Sequence, residues 1–180
     1  MFVATTGRSE ARLAMDARDV VDLLDFFEQS GLEVYVDGGW AVDALLGEQT
    51  RRHDDLDIAL PHRQVPLQRR LMEDRGFHER PQSDSWECNF VLMDAVGHRL
   101  DVHSYTLDAA GNNVSGVPYI AEHLTGTGVI GGRTVRCIDP AWLVKFHTSY
   151  EVDETDHHDV RRLCERFGLS LPHDYSKFSQ

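Results

Sequence analysis

Two aspartates, Asp55 and Asp57, stand two positions apart at the head of an apolar run, Leu56 to Leu60, that reads as a buried strand closed by Pro61. Side chains alternate along a strand, so both carboxylates face the same way, about 6.5–7 Å apart along the chain. Acids so placed repel each other unless a cation lies between them. Mg²⁺ suits that place, because it takes oxygen ligands and is held by one or two carboxylates together with substrate phosphates. A lone pair of strand-end acids needs no more than solvent, so the weight falls on what surrounds this one.

Sixteen positions before Asp55, Gly38–Gly39 follows the apolar burst Val34 to Val36 and precedes a helical stretch, Trp40 to Leu46. Glycines at such a strand-to-helix turn let backbone approach a phosphate, and the helix behind offers free N–H groups and the positive end of its dipole. A third acid, Asp101, lies in HRLDVHSY. A neighbouring strand would bring it alongside the pair. Three acids there could hold two metal ions, one on a triphosphate and one on an attacking hydroxyl. Alternatively, Asp101 takes the proton of that hydroxyl as general base.

The elements that must position these residues follow from periodicity and punctuation. Val20, Leu23, Leu24 and Phe27 recur at helical spacing between Asp16 and Ser30, with Gly31 as a stop. Val65 to Arg75 reads as an amphipathic helix with Pro66 in its first turn. Trp86 to Met93 and Arg99 to Thr106 read as a hairpin turning at Ala95–Gly97, and Asp108 to Asn113 as loop. Val129–Ile130 and Thr134 to Ile138 flank Gly131–Gly132 as a second hairpin. Asp139 caps a helix expected to run to about Tyr150, and a last helix spans about Thr155 to Phe167 before Gly168. Mixed elements with more hairpins than βαβ units predict an α+β fold, a mixed sheet with helices on one face. One domain is expected, its core over about 16–138 and a C-terminal helical segment over about 139–170.

The stretch GGWAVDALLGEQTRRHDDLDI, Gly38 to Ile58, closely resembles antibiotic nucleotidyltransferases of the polymerase-β-like superfamily. It is similar both to lincosamide nucleotidyltransferases and to the aminoglycoside adenylyltransferases that modify the double-primed ring. LDVHSY resembles the strand of the third carboxylate. Phe146 to Leu163 is similar to the C-terminal helical segment of the small lincosamide enzymes. With insertions allowed for, the likeness covers roughly residues 31–169.

The resemblance implies a polymerase-β palm-like fold and transfer of a nucleoside monophosphate, AMP from ATP foremost, to a hydroxyl of a small-molecule antibiotic. A lincosamide is favoured over an aminoglycoside, and pyrophosphate is released. It matches Gly38 and Gly39 to the phosphate-binding turn, Asp55 and Asp57 to the metal pair and Asp101 to the third carboxylate, with Mg²⁺, two ions by expectation, as cofactor. Arg51 and His53 also match motif positions; Arg51 reads either as a charge that neutralises the triphosphate or as a surface arginine, and His53 as a structural residue that hydrogen-bonds the loop presenting Asp55. A homodimer is a further implication.

Other polar residues receive plainer readings. Asp54 should face away from Asp55, Trp40 belongs in the core, and Asp37 and Asp43 serve the turn and helix. Glu87 is a candidate second acid near the acceptor. Glu154, Asp156, His157, His158 and Asp159 look like metal ligands at first sight, but acids at a helix start favour its dipole, so capping is the expectation. Tyr150 or His147 could reach the substrate pocket.

Composition bounds the alternatives. The 180 residues are 41% apolar and 27% charged, and no apolar run approaches the roughly 20 residues needed to span a bilayer. The N-terminal stretch Met1 to Ala14 is polar and does not read as a secretory signal; a cytoplasmic protein is expected. A formal charge of −12 argues against a nucleic-acid partner, since neutralising phosphates needs clustered Lys and Arg. Cys88, Cys137 and Cys164 are odd in number and form no CxxC pair, so neither a disulfide framework nor zinc is expected. A rival reading is a non-catalytic or regulatory module of the same fold, or one that modifies a protein. Degenerate members of that kind should lose an acid or the glycine pair, and this chain keeps the set.

Overall fold

The computed structural model describes residues 14–178. Most of the polar N-terminal stretch read as no secretory signal lies outside them. Asp16 opens the first helix, α1 (Ala17–Gln29): its side chain accepts from the backbone of Arg18 and Asp19, and Asp19 returns the bond. This capping box satisfies donors that the first turn leaves orphaned. Val20, Leu23, Leu24 and Phe27 form the buried face.

The sheet carries the site. Its strands are β1 (Tyr35–Asp37), β2 (Asp55–Pro61), β3 (His78–Glu79), β4 (Asn89–Met93), β5 (Arg99–Leu107), β6 (Asn113–Gly116), β7 (Gly126–Ile130) and β8 (Arg133–Cys137). They run in the order β3-β4-β5-β2-β1-β8-β7, with β6 added to β5. β2 pairs antiparallel with β1 and parallel with β5, and β8 pairs parallel with β1. The sheet is thus mixed, as the hairpin-rich pattern implied. Leu56, Ile58 and Leu60 on β2 are fully buried, as are Leu100 and Val102 on β5. That buried set fixes the register, because a slip of one residue would turn it to the other face.

Helix α2 (Gly38–Leu46) follows β1 without a break and ends at Gly47 in the left-handed conformation. It packs against β7, β2 and, from the C-terminal segment, α4 (Pro140–Phe146) and α5 (Glu154–Phe167). Between β2 and β4 lies α3 (Val65–Asp74), with Pro66 in its first turn as expected. No helix among the described residues is long and apolar enough to cross a membrane.

Two expectations need correction. The Asp108–Asn113 loop ends in a further strand, β6, whose Asn113 pairs with Leu107. Helix α4 stops at Phe146, short of Tyr150. Thr148 Oγ1 donates to the Lys145 carbonyl, Ser149 takes a positive φ of 70°, and its N–H is drawn to Asp174. A left-handed residue cannot continue the helix, so the chain turns there.

Candidate active site

Register brings the acids together. Asp57 lies opposite Asp37 on β1 and opposite Asp101 on β5, and Asp55 lies opposite Arg99. One row of the sheet therefore carries Asp37, Asp57 and Asp101 side by side, at the mouth of α2. Asp37 serves as N-cap, its Oδ1 accepting from Gly38 N–H at 2.8 Å. Gly38 and Gly39, expected in a turn, form the first residues of the helix itself.

Close approach explains both glycines. Gly38 has a φ of +57°, and a Cβ there would fall on the carboxylate of Asp57. A Cβ on Gly39 would fall on the guanidinium of Arg51 and the ring of His53. The pair makes room for an acid on one side and a cation on the other, beside the free N–H groups of the first turn.

Burial and crowding set the electrostatics. Burial first, and then the charge of Asp55, push Asp57 up to about 8. Burial also raises Asp101, against the opposing pull of Arg99. Asp37 is held below the usual range: burial would raise it, but His103, Tyr119 and the Gly38 N–H outweigh burial. His103 stands 3.7 Å from Asp37. Burial would lower its imidazole, yet Asp37 and Asp57 carry it to about 9. The Tyr119 hydroxyl donates to Asp37 and lies 3.2 Å from His103 Nδ1.

The donor set fits a hard divalent cation, since it is all carboxylate oxygen and Gly38 leaves Asp57 unobstructed. Asp55 and Asp57 are the two whose oxygens could hold one. Asp101 is not among them: Arg99 holds both its oxygens, Nε to Oδ1 at 2.7 Å and Nη2 to Oδ2 at 2.6 Å. Among the described residues no three His, Cys, Asp or Glu side chains converge in metal-holding geometry.

The loop between α2 and β2 is fixed from below. His53 and Asp43, each 2% exposed, meet at 2.5 Å, and Asp43 also accepts from Thr50 N and Oγ1. Trp40 is buried and its ring lies 4.6 Å from that of His53. Arg51 reaches the helix mouth but is engaged there by Asp159, with Nε at 3.0 Å and Nη2 at 2.7 Å. Asp159 was expected to cap its helix. Asp153 and Asp156 form that capping box instead, and Asp159 is buried as the partner of Arg51.

The remaining candidates lie elsewhere. Asp54 is exposed beside Arg52, and Glu87 is exposed ahead of β4. Glu154 is exposed, His157 stacks on Phe178 and His158 meets Thr50. Tyr150 donates to Asp156, while His147 Nδ1 contacts the Leu143 carbonyl. A cavity of about 490 Å³ opens beside the acids, with Trp86, Val117, Pro118 and Phe146 as apolar walls and Asp37, His103 and Tyr119 on its polar side.

Sequence reasoning missed Arg99, His103 and Tyr119. Arg99, Asp101 and His103 alternate on β5, so period two alone places them on one face. Tyr119 lies on an irregular segment, and its contact with Asp37 spans 82 positions, with no local signal.

A mixed sheet with acids on adjacent strands beside a glycine-led helix is the architecture of nucleotidyltransferases. The family model for aminoglycoside-2''-adenylyltransferase matches residues 19–163, and the chain belongs to that family. A lincosamide resistance protein of Staphylococcus haemolyticus is 30% identical over 154 residues, covering 81% of this chain and 92% of that protein. A 2''-aminoglycoside nucleotidyltransferase of Escherichia coli is 31% identical over 113 residues, covering 61% of this chain and 60% of its own. Among solved structures, the lincosamide antibiotic adenylyltransferase LnuA, lincomycin-bound, superposes with a TM-score of 0.73 at 25% identity. The match covers 84% of this chain and 98% of LnuA. ANT(2")-Ia in complex with adenylyl-2"-tobramycin shares the fold, with a TM-score of 0.67 at 24% identity, over 84% of this chain and 89% of its own.

Proposed function

We propose that the protein transfers AMP from ATP to a hydroxyl of a lincosamide-type antibiotic, releasing pyrophosphate, in a Mg²⁺-dependent reaction. The observation that carries this reading is the row of acids on β1, β2 and β5 set against the N-terminus of α2. Asp55 and Asp57 would hold Mg²⁺, which when bound supplies positive charge against the triphosphate. The first-turn N–H groups after Gly38 would face the phosphate oxygens, and Arg51, held by Asp159 and the Arg52 carbonyl, would place its positive charge beside them. Asp101 accepts the hydroxyl proton of the acceptor. Most of the protein's contribution is position and charge.

The cavity favours a lincosamide. An aminoglycoside presents several ammonium groups and calls for several free carboxylates around it. Here the walls are largely apolar, and the buried acid of the cavity, Asp37, is already engaged by Tyr119 and His103. An amphipathic antibiotic with a single amine matches that lining. The relative in Staphylococcus haemolyticus and the LnuA structure support the same choice. We place the enzyme in the cytoplasm, where ATP is available, and as a homodimer by family likeness.

The test is mass spectrometry of lincosamides and aminoglycosides incubated with protein, Mg²⁺ and each of the four nucleoside triphosphates. Gain of one AMP on a lincosamide, with ATP the best donor, is expected. Modification of aminoglycosides alone would overturn the acceptor assignment, and no modification of either class would overturn the reading.

A further inference from the structure

Arg99 occupies a position that an all-acid site would leave to a cation. It is the first residue of β5, two positions before Asp101 on the same face, and lies directly opposite Asp55. Its fork takes both oxygens of Asp101, while Nη1 stands 3.8 Å from Asp55 Oδ2. The side chain is only 16% exposed. A guanidinium cannot release its proton in a protein, and bidentate pairing with a carboxylate is both strong and geometrically specific. A permanent positive charge therefore bridges two of the three acids that the family likeness would assign to metals.

We infer that Arg99 is a built-in counter-cation that takes the place of a second metal ion, so that the site binds one divalent cation, on Asp55 and Asp57. This rests on the metal-dependent reading above and departs from the expectation of two ions. Asp101 remains usable as a base. A carboxylate has about four lone-pair positions, of which Arg99 occupies two, so an acceptor hydroxyl still finds one. Arg99 acts through Asp101 and is a positioning residue: it orients the base and closes the second metal position to other cations.

The experiment is a count of bound Mn²⁺ by electron paramagnetic resonance, in the presence of α,β-methylene ATP, which cannot transfer its nucleotide. The wild-type chain is expected to bind one Mn²⁺ per chain, Arg99→Leu two, and Arg99→Lys, which keeps the charge, one. Two ions on the wild type would show that Arg99 yields its place and would overturn the inference, whatever the variants do. One ion on a folded Arg99→Leu variant would overturn it as well, since Arg99 would not be what excludes the second. One ion on the wild type that persists in Asp57→Asn would instead overturn the metal-pair assignment and leave the proposed site without its cation.

Discussion

The two strands of chemistry at the mouth of α2 are built on opposite principles. On the Arg51 side every charge has a partner: Asp43 meets His53, Asp159 meets Arg51, and Thr50 closes onto Asp43. On the carboxylate side burial and the charge of Asp55 push Asp57 up, and Arg99 is shared between Asp101, which it grips, and Asp55, 3.8 Å away. A satisfied cluster holds a loop in place and resists change. A crowded one lifts Asp57 far above the usual carboxylate range, so that it carries a proton at neutral pH that a ligand can displace, which is how functional sites depart from ordinary titration.

The largest expected effect separates the two sides. Asp57→Asn removes a ligand without making a cavity, so AMP transfer should fall about a thousandfold. The same change relieves repulsion, so above pH 8 the metal-free variant should melt no lower than the wild type. Next, His53→Ala leaves buried Asp43 with its Thr50 bonds alone and opens a cavity under Trp40, which should cost about 3 kcal/mol of stability by denaturant titration. The turnover of its folded fraction should stay within a few-fold of wild type. Equal loss of activity in both variants would erase the distinction.

Asp159→Asn has a smaller and more selective effect. It loosens Arg51 over the helix mouth, so KM for ATP should rise about tenfold with kcat little changed. If the antibiotic KM moves instead, Arg51 serves the acceptor.

The smallest effect is a proton. With Asp57 raised to about 8, the metal-free fold holds a proton at neutral pH that an ordinary carboxylate, near 3.8, has lost. Here the folded state binds more protons than the unfolded one, so stability without metal declines as pH climbs from about 4 to about 8. A cation on Asp57 displaces that proton. Calorimetric titration with Mg²⁺ at pH 7 in buffers of different ionisation enthalpy should report up to one proton released, with less released as pH passes 8.

Much of this was legible in the sequence because it depends on short-range rules. The alternation of Asp55 and Asp57, the glycine pair, the capping role of Asp156 in α5 and the Gly131–Gly132 hairpin all follow from period and turn chemistry. Asp101 was reached through family likeness; its place beside Asp57 comes from the parallel pairing of β2 with β5, which the β4–β5 hairpin alone does not set. What stayed hidden depends on register between distant strands. Nothing local says that Asp37 joins the acid row, because that follows from the β1–β2 pairing of Asp37 with Asp57. Nor could the second turn of α5 announce that Asp159 bonds Arg51 across 108 positions, since an acid near a helix start is equally well explained by the dipole. The early end of α4 is partly of the same kind, since the left-handed Ser149 that follows it gives its N–H to Asp174, 25 positions along the chain.

The most direct test strips the protein of divalent cations, supplies ATP and a lincosamide, and measures modified antibiotic and pyrophosphate as Mg²⁺ is returned. No product should form in the stripped sample, and with Mg²⁺ one pyrophosphate should appear for each AMP on the antibiotic. Undiminished transfer without any divalent cation, or pyrophosphate released with the antibiotic unmodified, would contradict the account.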